Sequence, residues 1–270
     1  QKEKRTPRSP GLDPCPQRAG QAGIWRYASD TLGQSHEEEK RFATGLRHAL
    51  AIAVHPESGE LWAVVNGRDA LASLWGFDAE RNASLPAEEM VRVDSGVDLG
   101  WPYCYHDGIR ETKVLAPEYG GDGRRRGRCA DAAPPDLSFP AHWAPMALLF
   151  HSGRSLPERY RGGAFVAFRG SWNRAPLPQE GYRVAFVPFE GRKPTGFETF
   201  AIGAADPTAF RMTGVAEGPD GSLFIAADEN GRIWRILREE QAGDGPTPES
   251  GETVGEAGAE DEEGGARDDG

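Results

Sequence analysis

Short apolar runs separated by turns that contain Gly and Pro recur along the chain. The clearest is AIAVHPESGELWAVV at 51–65, where two apolar strands flank a Pro–Gly turn. GVAEGPDGSLFIAADENGRIWRI at 214–236 repeats this order and adds a third strand. ALLFHSGRSLPERYRGGAFVAF at 147–168 is a looser copy with a longer turn. Runs of this length and spacing predict meanders of short antiparallel strands.

A single meander of this kind cannot bury both of its faces. The repeated units therefore predict an all-β fold, a β-propeller, in which the sheets stack radially. The meanders amount to about three blades within residues 1–240, whereas a closed propeller needs at least four. We therefore expect an incomplete portion of a propeller whose N-terminal half is absent. An unpaired strand is predicted at 24–27, one short helix beginning at Ser84, and a long loop at 94–144.

Composition and charge limit the classes of partner. The chain has 270 residues, of which 38% are hydrophobic, and its seven Trp and twelve Phe suffice for a core. The formal net charge of −11 argues against a nucleic-acid partner. Residues 241–270 contain ten acidic residues and one Arg, and we expect them to form an acidic disordered tail. No apolar run is long enough to span a bilayer.

The three cysteines indicate the redox compartment. Cys104 and Cys129 bracket a Gly- and Arg-rich segment, and we favour a disulfide between them over two free thiols. Such a bond would place the protein in an oxidising compartment, periplasmic or secreted. Cys15 has no local partner, and its partner is expected upstream of this chain. Without a Cys-x-x-Cys motif, structural zinc and c-type haem are unsupported.

An unusual polar cluster follows the apolar run 164–168. The stretch FRGSWNRAPLPQEGY at 168–182 joins two predicted strands, which need only a turn between them. It nevertheless contains Arg169, Trp172, Asn173 and Arg174. Guanidinium groups bind carboxylates bidentately, and indole stacks on flat rings. The cluster therefore indicates a flat anionic ligand, with an ordinary polar hairpin turn as the alternative.

Five stretches in a fixed order resemble one family, the soluble quinoprotein glucose/sorbosone dehydrogenases. They lie between about Gly11 and Leu237, and they are ATGLRHALAIAVHPESGELWAVVNGRD, VDLGWPYCYHDG, FPAHWAP, YRGGAFVAFRGSWNR and GVAEGPDGSLFIAADENGRIWRI. The resemblance implies a six-bladed propeller that holds pyrroloquinoline quinone (PQQ), a planar tricarboxylate, beside a Ca²⁺ ion on its axis. It also implies that a histidine takes a proton from a sugar hydroxyl while hydride passes to the quinone, and that an external electron acceptor, in some cases a cytochrome, completes the reaction.

The resemblance assigns roles to residues that match the family's motifs. The residues expected to bind PQQ are Arg47, His48, Arg169, Trp172, Asn173 and Arg211. His48 stands where the family has Asn, and Arg169 stands where the sorbosone-like branch has His. The backbone carbonyls of Gly67 and Arg68 are expected to bind Ca²⁺.

The same resemblance bears on substrate and catalysis. His142 and Trp143, in FPAHWAP, fall on a loop that lines the substrate mouth. The general-base histidine matches no residue here and is expected upstream. We therefore expect a PQQ-dependent oxidoreductase for a sugar or aldose, inactive as this piece because the half with the base is missing. The alternative is a non-catalytic propeller that serves as a binding scaffold.

Overall fold

The computed structural model describes residues 6–36, 40–203, 210–229 and 231–237. The compact unit that contains them ends at Leu237. The acidic tail predicted at 241–270 lies outside the described residues, so its predicted disorder stays a prediction.

Strands make up most of the regular secondary structure of the described residues, which confirms the predicted all-β class. Their strands, in chain order, are β1 (Gly23–Trp25), β2 (Arg41–Thr44), β3 (Ala51–Val54), β4 (Leu61–Val65), β5 (Glu88–Arg92), β6 (Cys104–Asp107), β7 (Thr112–Leu115), β8 (Leu137–Phe139), β9 (Pro145–Phe150), β10 (Ala164–Phe168), β11 (Arg183–Val187), β12 (Phe189–Glu190), β13 (Lys193–Pro194), β14 (Glu198–Ile202), β15 (Met212–Glu217), β16 (Leu223–Ala227) and β17 (Arg232–Ile236). The helices are α1 (Leu71–Trp75), α2 (Ala79–Ser84) and short 3₁₀ turns at Pro16–Ala19, Pro117–Tyr119, Gly127–Ala130 and Glu158–Tyr160.

Three antiparallel meanders make up most of the fold. Sheet A has the order β3-β4-β5-β8, sheet B has the order β9-β10-β11-β14, and sheet C has the order β15-β16-β17. The hairpins predicted at 51–65, 147–168 and 214–236 are all present, and the last one includes its third strand. Gly- and Pro-containing turns between apolar runs were thus a sufficient signal for these units.

The core lies between neighbouring sheets, and β10 is buried on both faces. Val166 and Phe168 pack into the core between sheets A and B, together with Trp62 and Phe139. Phe165 and Ala167 pack into the core between sheets B and C. Because successive side chains of a strand point to opposite faces, a strand with a core on each side reads as a continuous apolar run. The sequence AFVAF has this property.

The first strands of the three sheets lie side by side, since β3 contacts β9 and β9 contacts β15. In each sheet the first two strands are antiparallel, so the start of the first strand and the end of the second share one edge. Asn66, after β4, donates from Nδ2 to the carbonyl of Pro145 at the start of β9, 2.9 Å away. This common edge, formed by the residues before β3, β9 and β15 and after β4, β10 and β16, is called the loop edge below.

Three local predictions are wrong. The segment 94–144 is not one long loop, because it contains the β6–β7 hairpin and strand β8. The helix predicted to begin at Ser84 instead ends there. Asp78 is its N-cap and accepts a hydrogen bond from the backbone N of Arg81 at 2.7 Å. An acid at the N-cap was the stronger helix signal, and the predicted cap at Ser84 is the last residue of the helix. The strand predicted at 24–27 is present as β1, but it pairs with β2, so the expectation that it is unpaired is also wrong.

The predicted disulfide between Cys104 and Cys129 is confirmed. It joins β6 to the 3₁₀ turn at Gly127–Ala130, across a sequence separation of 25 residues. Cys15 is a free thiol that packs against the same small core. A cross-link across this long excursion limits the conformations of the unfolded chain and so stabilises the folded one.

Candidate functional site

Three arginines predicted to bind an anionic ligand lie at the loop edge, one from each sheet. Arg47 precedes β3, Arg169 follows β10, and Arg211 precedes β15. Their side chains are partly exposed, at 28%, 35% and 25%. The structure therefore brings guanidinium groups from sheets A, B and C to the same side of the molecule.

Each of these arginines already has an acidic partner. Arg169 Nε lies 2.7 Å from Asp228 Oδ2, and Arg211 Nε lies 3.1 Å from Glu229 Oε2. The acidic partners of Arg169 and Arg211 are thus consecutive residues of one turn. Arg47 belongs to a separate group, in which its Nη2 lies 3.0 Å from Asp69 Oδ2. An anionic ligand at this edge would have to exchange with these carboxylates.

One of the two predicted calcium ligands, the Gly67 carbonyl, already accepts a hydrogen bond from a protein group. Arg47 donates a hydrogen bond to the carbonyl of Gly67. The Arg68 side chain is buried against Glu118, with Nη2 and Oε1 2.6 Å apart. Within the described ranges no group of three His, Cys, Asp or Glu side chains is placed to hold a metal. Backbone carbonyls suit Ca²⁺ chemically, yet here a guanidinium must leave the Gly67 oxygen before a cation can approach it.

His142 and Asn173, two other predicted site residues, are brought together in the interior. His142 Nε2 donates to the carbonyls of Asn82 and Leu85 at 2.7 and 2.9 Å. Asn173 accepts at Oδ1 from the backbone N of Ala70, 3.1 Å away, and its Nδ2 lies 3.2 Å from the imidazole. These contacts tie the loop after β4 to the loops around β9 and β10. The imidazole is 2% exposed, so in this arrangement it holds loops together.

Two carboxylates contact this group, the half-buried Asp69 and the buried Glu88. Burial alone would raise the pKa of Asp69, but hydrogen bonding and the charges of His142 and Arg47 outweigh it and hold the pKa below its ordinary range. Burial raises the pKa of Glu88 to about 7, although backbone N–H groups of Ala144 and Gly67 favour its charged form. Glu88 accepts from Gly67 N at 2.6 Å and from Ala144 N at 2.9 Å, so one carboxyl connects sheet A's loop to the start of sheet B.

The remaining predicted residues differ in accessibility. Trp172 is 70% exposed at the loop edge, and His48 is exposed beside Arg47. Trp143 is buried; its Nε1 donates to Glu180 Oε2 at 3.2 Å, and its ring packs against Phe168. The roles assigned to these residues stay predictions. A flat ligand at the loop edge has an indole face available in Trp172 and none in Trp143.

Glu88 and Asn82 also belong to this group, although neither was predicted from the sequence as a site residue. Asn82 fits the glycosylation triplet with Ser84, yet its side chain is buried and contacts the backbone of Asn173 and Ala72. The available signal for Glu88, the first residue of the strand EEMVR, was that it shares one strand face with the apolar Met90, which is buried. Such a residue indicates a buried partner, but it does not say which one.

Comparisons with known proteins bear on the fold and the family. The TrAA12-like family matches residues 17–239. A pyrroloquinoline quinone-dependent pyranose dehydrogenase of Coprinopsis cinerea is 24% identical over 264 residues, covering 82% of this chain and 35% of the relative. An uncharacterized protein of Borreliella burgdorferi is 25% identical over 210 residues, covering 75% of this chain and 50% of the relative. The chain thus spans half or less of the length of these curated relatives.

A solved structure agrees with this picture. The calcium structure of Trichoderma reesei Carbohydrate-Active Enzymes Family AA12 superposes with a TM-score of 0.64 at 23% identity, covering 83% of this chain and 63% of that chain. Adjacent antiparallel sheets with a shared polar edge therefore define an all-β protein with the fold of that structure. The match over residues 17–239 is more specific, and the chain belongs to the TrAA12-like family. The resemblance found in the sequence is thereby confirmed.

Proposed function

We propose that this chain is part of a PQQ-dependent oxidoreductase that oxidises a sugar or aldose. One observation carries the proposal: arginines of three different sheets, Arg47, Arg169 and Arg211, lie at one edge of the molecule. The name of the Coprinopsis relative supports the choice of cofactor and substrate class. In this proposal sheets A, B and C are consecutive blades of a six-bladed propeller, and β10, buried on both faces, has the environment of a strand between blades.

The chain's own residues have distinct tasks in this proposal. Arg169 and Arg211 bind cofactor carboxylates in exchange for Asp228 and Glu229. This exchange is possible because a carboxylate of the cofactor can form the same hydrogen bonds with a guanidinium as a carboxylate of the protein. Trp172 offers an exposed ring face beside them. His142 and Asn173 hold the surrounding loops. PQQ, when bound, supplies the group that accepts hydride from the sugar, and the proton-accepting histidine comes from a part of the protein outside this chain.

Calcium, location and electron acceptor complete the proposal. Ca²⁺ at the carbonyls of Gly67 and Arg68 requires that Arg47 first leave the Gly67 oxygen. The disulfide supports a periplasmic or secreted location. Among the residues that the structure describes, no helix has the length and apolar character needed to cross a bilayer. The external electron acceptor follows from the resemblance alone.

Arginine substitutions test the cofactor assignment. We expect the purified chain to retain PQQ in equilibrium dialysis, and Arg169→Ala and Arg211→Ala each to weaken retention about tenfold, since a charge-assisted hydrogen bond contributes roughly 1.5–3 kcal/mol. PQQ absorbance measures the retained fraction. The control is Arg159→Ala, which removes an exposed arginine paired with Glu198 on the surface. Equal retention in all four proteins, or no retention in any, contradicts the proposal.

A second candidate function is a non-catalytic binding scaffold. The pairing of all three arginines with Asp69, Asp228 and Glu229 favours it, because these charges are already compensated. A folded protein that takes up no PQQ, with or without Ca²⁺, in the dialysis experiment would support the scaffold over the oxidoreductase.

A further inference from the structure

A large groove lies beside the loop edge and shares Arg47 and Arg68 with the residues proposed to bind the cofactor and Ca²⁺. Its volume is about 1070 Å³, and the N-terminal segment 6–22 forms one wall. Three backbone hydrogen bonds of 2.9 Å fasten that wall, from Arg8 N to the Leu74 carbonyl, from Gly11 N to the Glu118 carbonyl and from Cys15 N to the hydroxyl of Tyr103. The groove exceeds the roughly 300–1,000 Å³ typical of a site for one small molecule.

Aromatic rings line this groove and are held in fixed orientations. Trp75 donates from Nε1 to Glu118 Oε1 at 3.2 Å. Trp101 has the guanidinium of Arg47 against its ring, 5.7 Å from the centroid. Tyr119 packs edge-on against Tyr103 at 4.8 Å. Rigid aromatic rings offer large contact area at a low cost in conformational entropy.

The charged residues of the groove are all compensated. Arg18 pairs with Asp98, Arg47 with Asp69, and Arg68 with Glu118. An anionic or cationic ligand would have to break one of these pairs, whereas a neutral ligand would not. The exposed amides of Gln17 and Gln21 can donate and accept hydrogen bonds. Flat rings, neutral amides and compensated charges together match a neutral polyhydroxyl chain.

We propose that this groove binds a neutral oligosaccharide of several sugar rings, with Trp75 and Trp101 as stacking surfaces. Arg47 lies both in the groove and at the loop edge, so a bound chain has one end beside the proposed cofactor site. One part of this proposal rests on the proposed function, namely that the substrate of the oxidation is such an oligosaccharide and not a single sugar. Binding in the groove itself needs no cofactor.

Calorimetry on the cofactor-free chain tests the groove. The probes are cellohexaose, maltohexaose, mannohexaose and glucose, each up to about 10 mM. We expect at least one hexasaccharide to bind about tenfold or more tightly than glucose, and Trp75→Ala and Trp101→Ala each to weaken it about tenfold. The control Tyr27→Ala removes an aromatic ring that is 41% exposed outside the groove, and it should leave the affinity unchanged.

Three outcomes overturn the proposal: no hexasaccharide binds, glucose binds as tightly as every hexasaccharide, or Tyr27→Ala loses as much affinity as Trp75→Ala. If Trp75→Ala does not fold by circular dichroism, Gln21→Ala replaces it, because that side chain is exposed and lines the same groove. PQQ retention is measured separately by absorbance. Retained PQQ without hexasaccharide binding refutes only the groove, and hexasaccharide binding without retained PQQ refutes only the cofactor assignment.

Discussion

Glu118→Ala is expected to lower the free energy of unfolding by about 3–5 kcal/mol, because it leaves the buried guanidinium of Arg68 without a partner. Arg68 is 2% exposed, and Glu118 is its acidic partner. Burial alone would raise the pKa of Glu118, but hydrogen bonding and the charge of Arg68 outweigh it and hold the pKa below its ordinary range. The Trp75 indole loses its acceptor in the same substitution. Urea unfolding of both proteins measures the difference.

Two further variants show whether the ion pair is the cause. Glu158→Ala removes an acid that is 88% exposed and pairs with Arg161 at 3.9 Å, and it should change stability by less than about 0.5 kcal/mol. The double variant Arg68→Met/Glu118→Leu removes both charges and should recover most of the stability lost in Glu118→Ala, since apolar pairs often replace buried ion pairs without loss. A loss below about 1 kcal/mol in Glu118→Ala would show that the guanidinium finds water or another partner.

Stability is expected to fall between about pH 4.5 and pH 7 because of Glu88. The folded-state pKa of Glu88 is about 7, above the ordinary value of 4.5, so the folded chain binds this proton more tightly than the unfolded chain. The stabilisation is complete below pH 4.5 and is lost as the pH rises through 7. A difference of this size corresponds to about 3 kcal/mol. Urea unfolding at intervals of pH gives the profile.

Glu88→Gln isolates this contribution from those of the other ionisable groups. The amide cannot ionise, so the difference in unfolding free energy between the two proteins should vary with pH across this window and be constant above about pH 8. Glu158→Gln, an exposed substitution, should follow the wild-type profile. Parallel profiles for wild type and Glu88→Gln would mean that Glu88 has an ordinary pKa in the folded protein.

Local signals predicted the sheets well and the long insertion poorly. In 51–65 and 214–236, apolar runs and Gly–Pro turns specify hairpins whose contacts are close in sequence. Strand β8, in contrast, joins β5 across more than 40 intervening residues, and its three residues, Leu137–Phe139, are too few for their alternation to identify a strand. Its pairing depends on a neighbour that no local pattern identifies.

The candidate site shows the same division. The positions of Arg47, Arg169 and Arg211 at strand ends follow from the predicted strands. Their partners do not, because Arg169 and Asp228 are 59 residues apart and meet only when sheets B and C pack. Likewise, His142 was expected at a substrate mouth, whereas the structure buries it against backbone carbonyls. A motif can locate a residue in a loop, but burial depends on the whole fold.

The burial of Asn82 has a consequence for producing the protein in eukaryotic cells. Its side-chain amide is buried and forms hydrogen bonds with the backbone of Asn173 and Ala72. The folded protein therefore has no room for a glycan on Asn82. Oligosaccharyltransferase modifies accessible Asn-x-Ser triplets. A glycan added to Asn82 before this region folds would therefore keep α2 from packing in its folded position. Ser84→Ala removes the triplet and retains Asn82, which makes it the suitable change for expression in a secretory host.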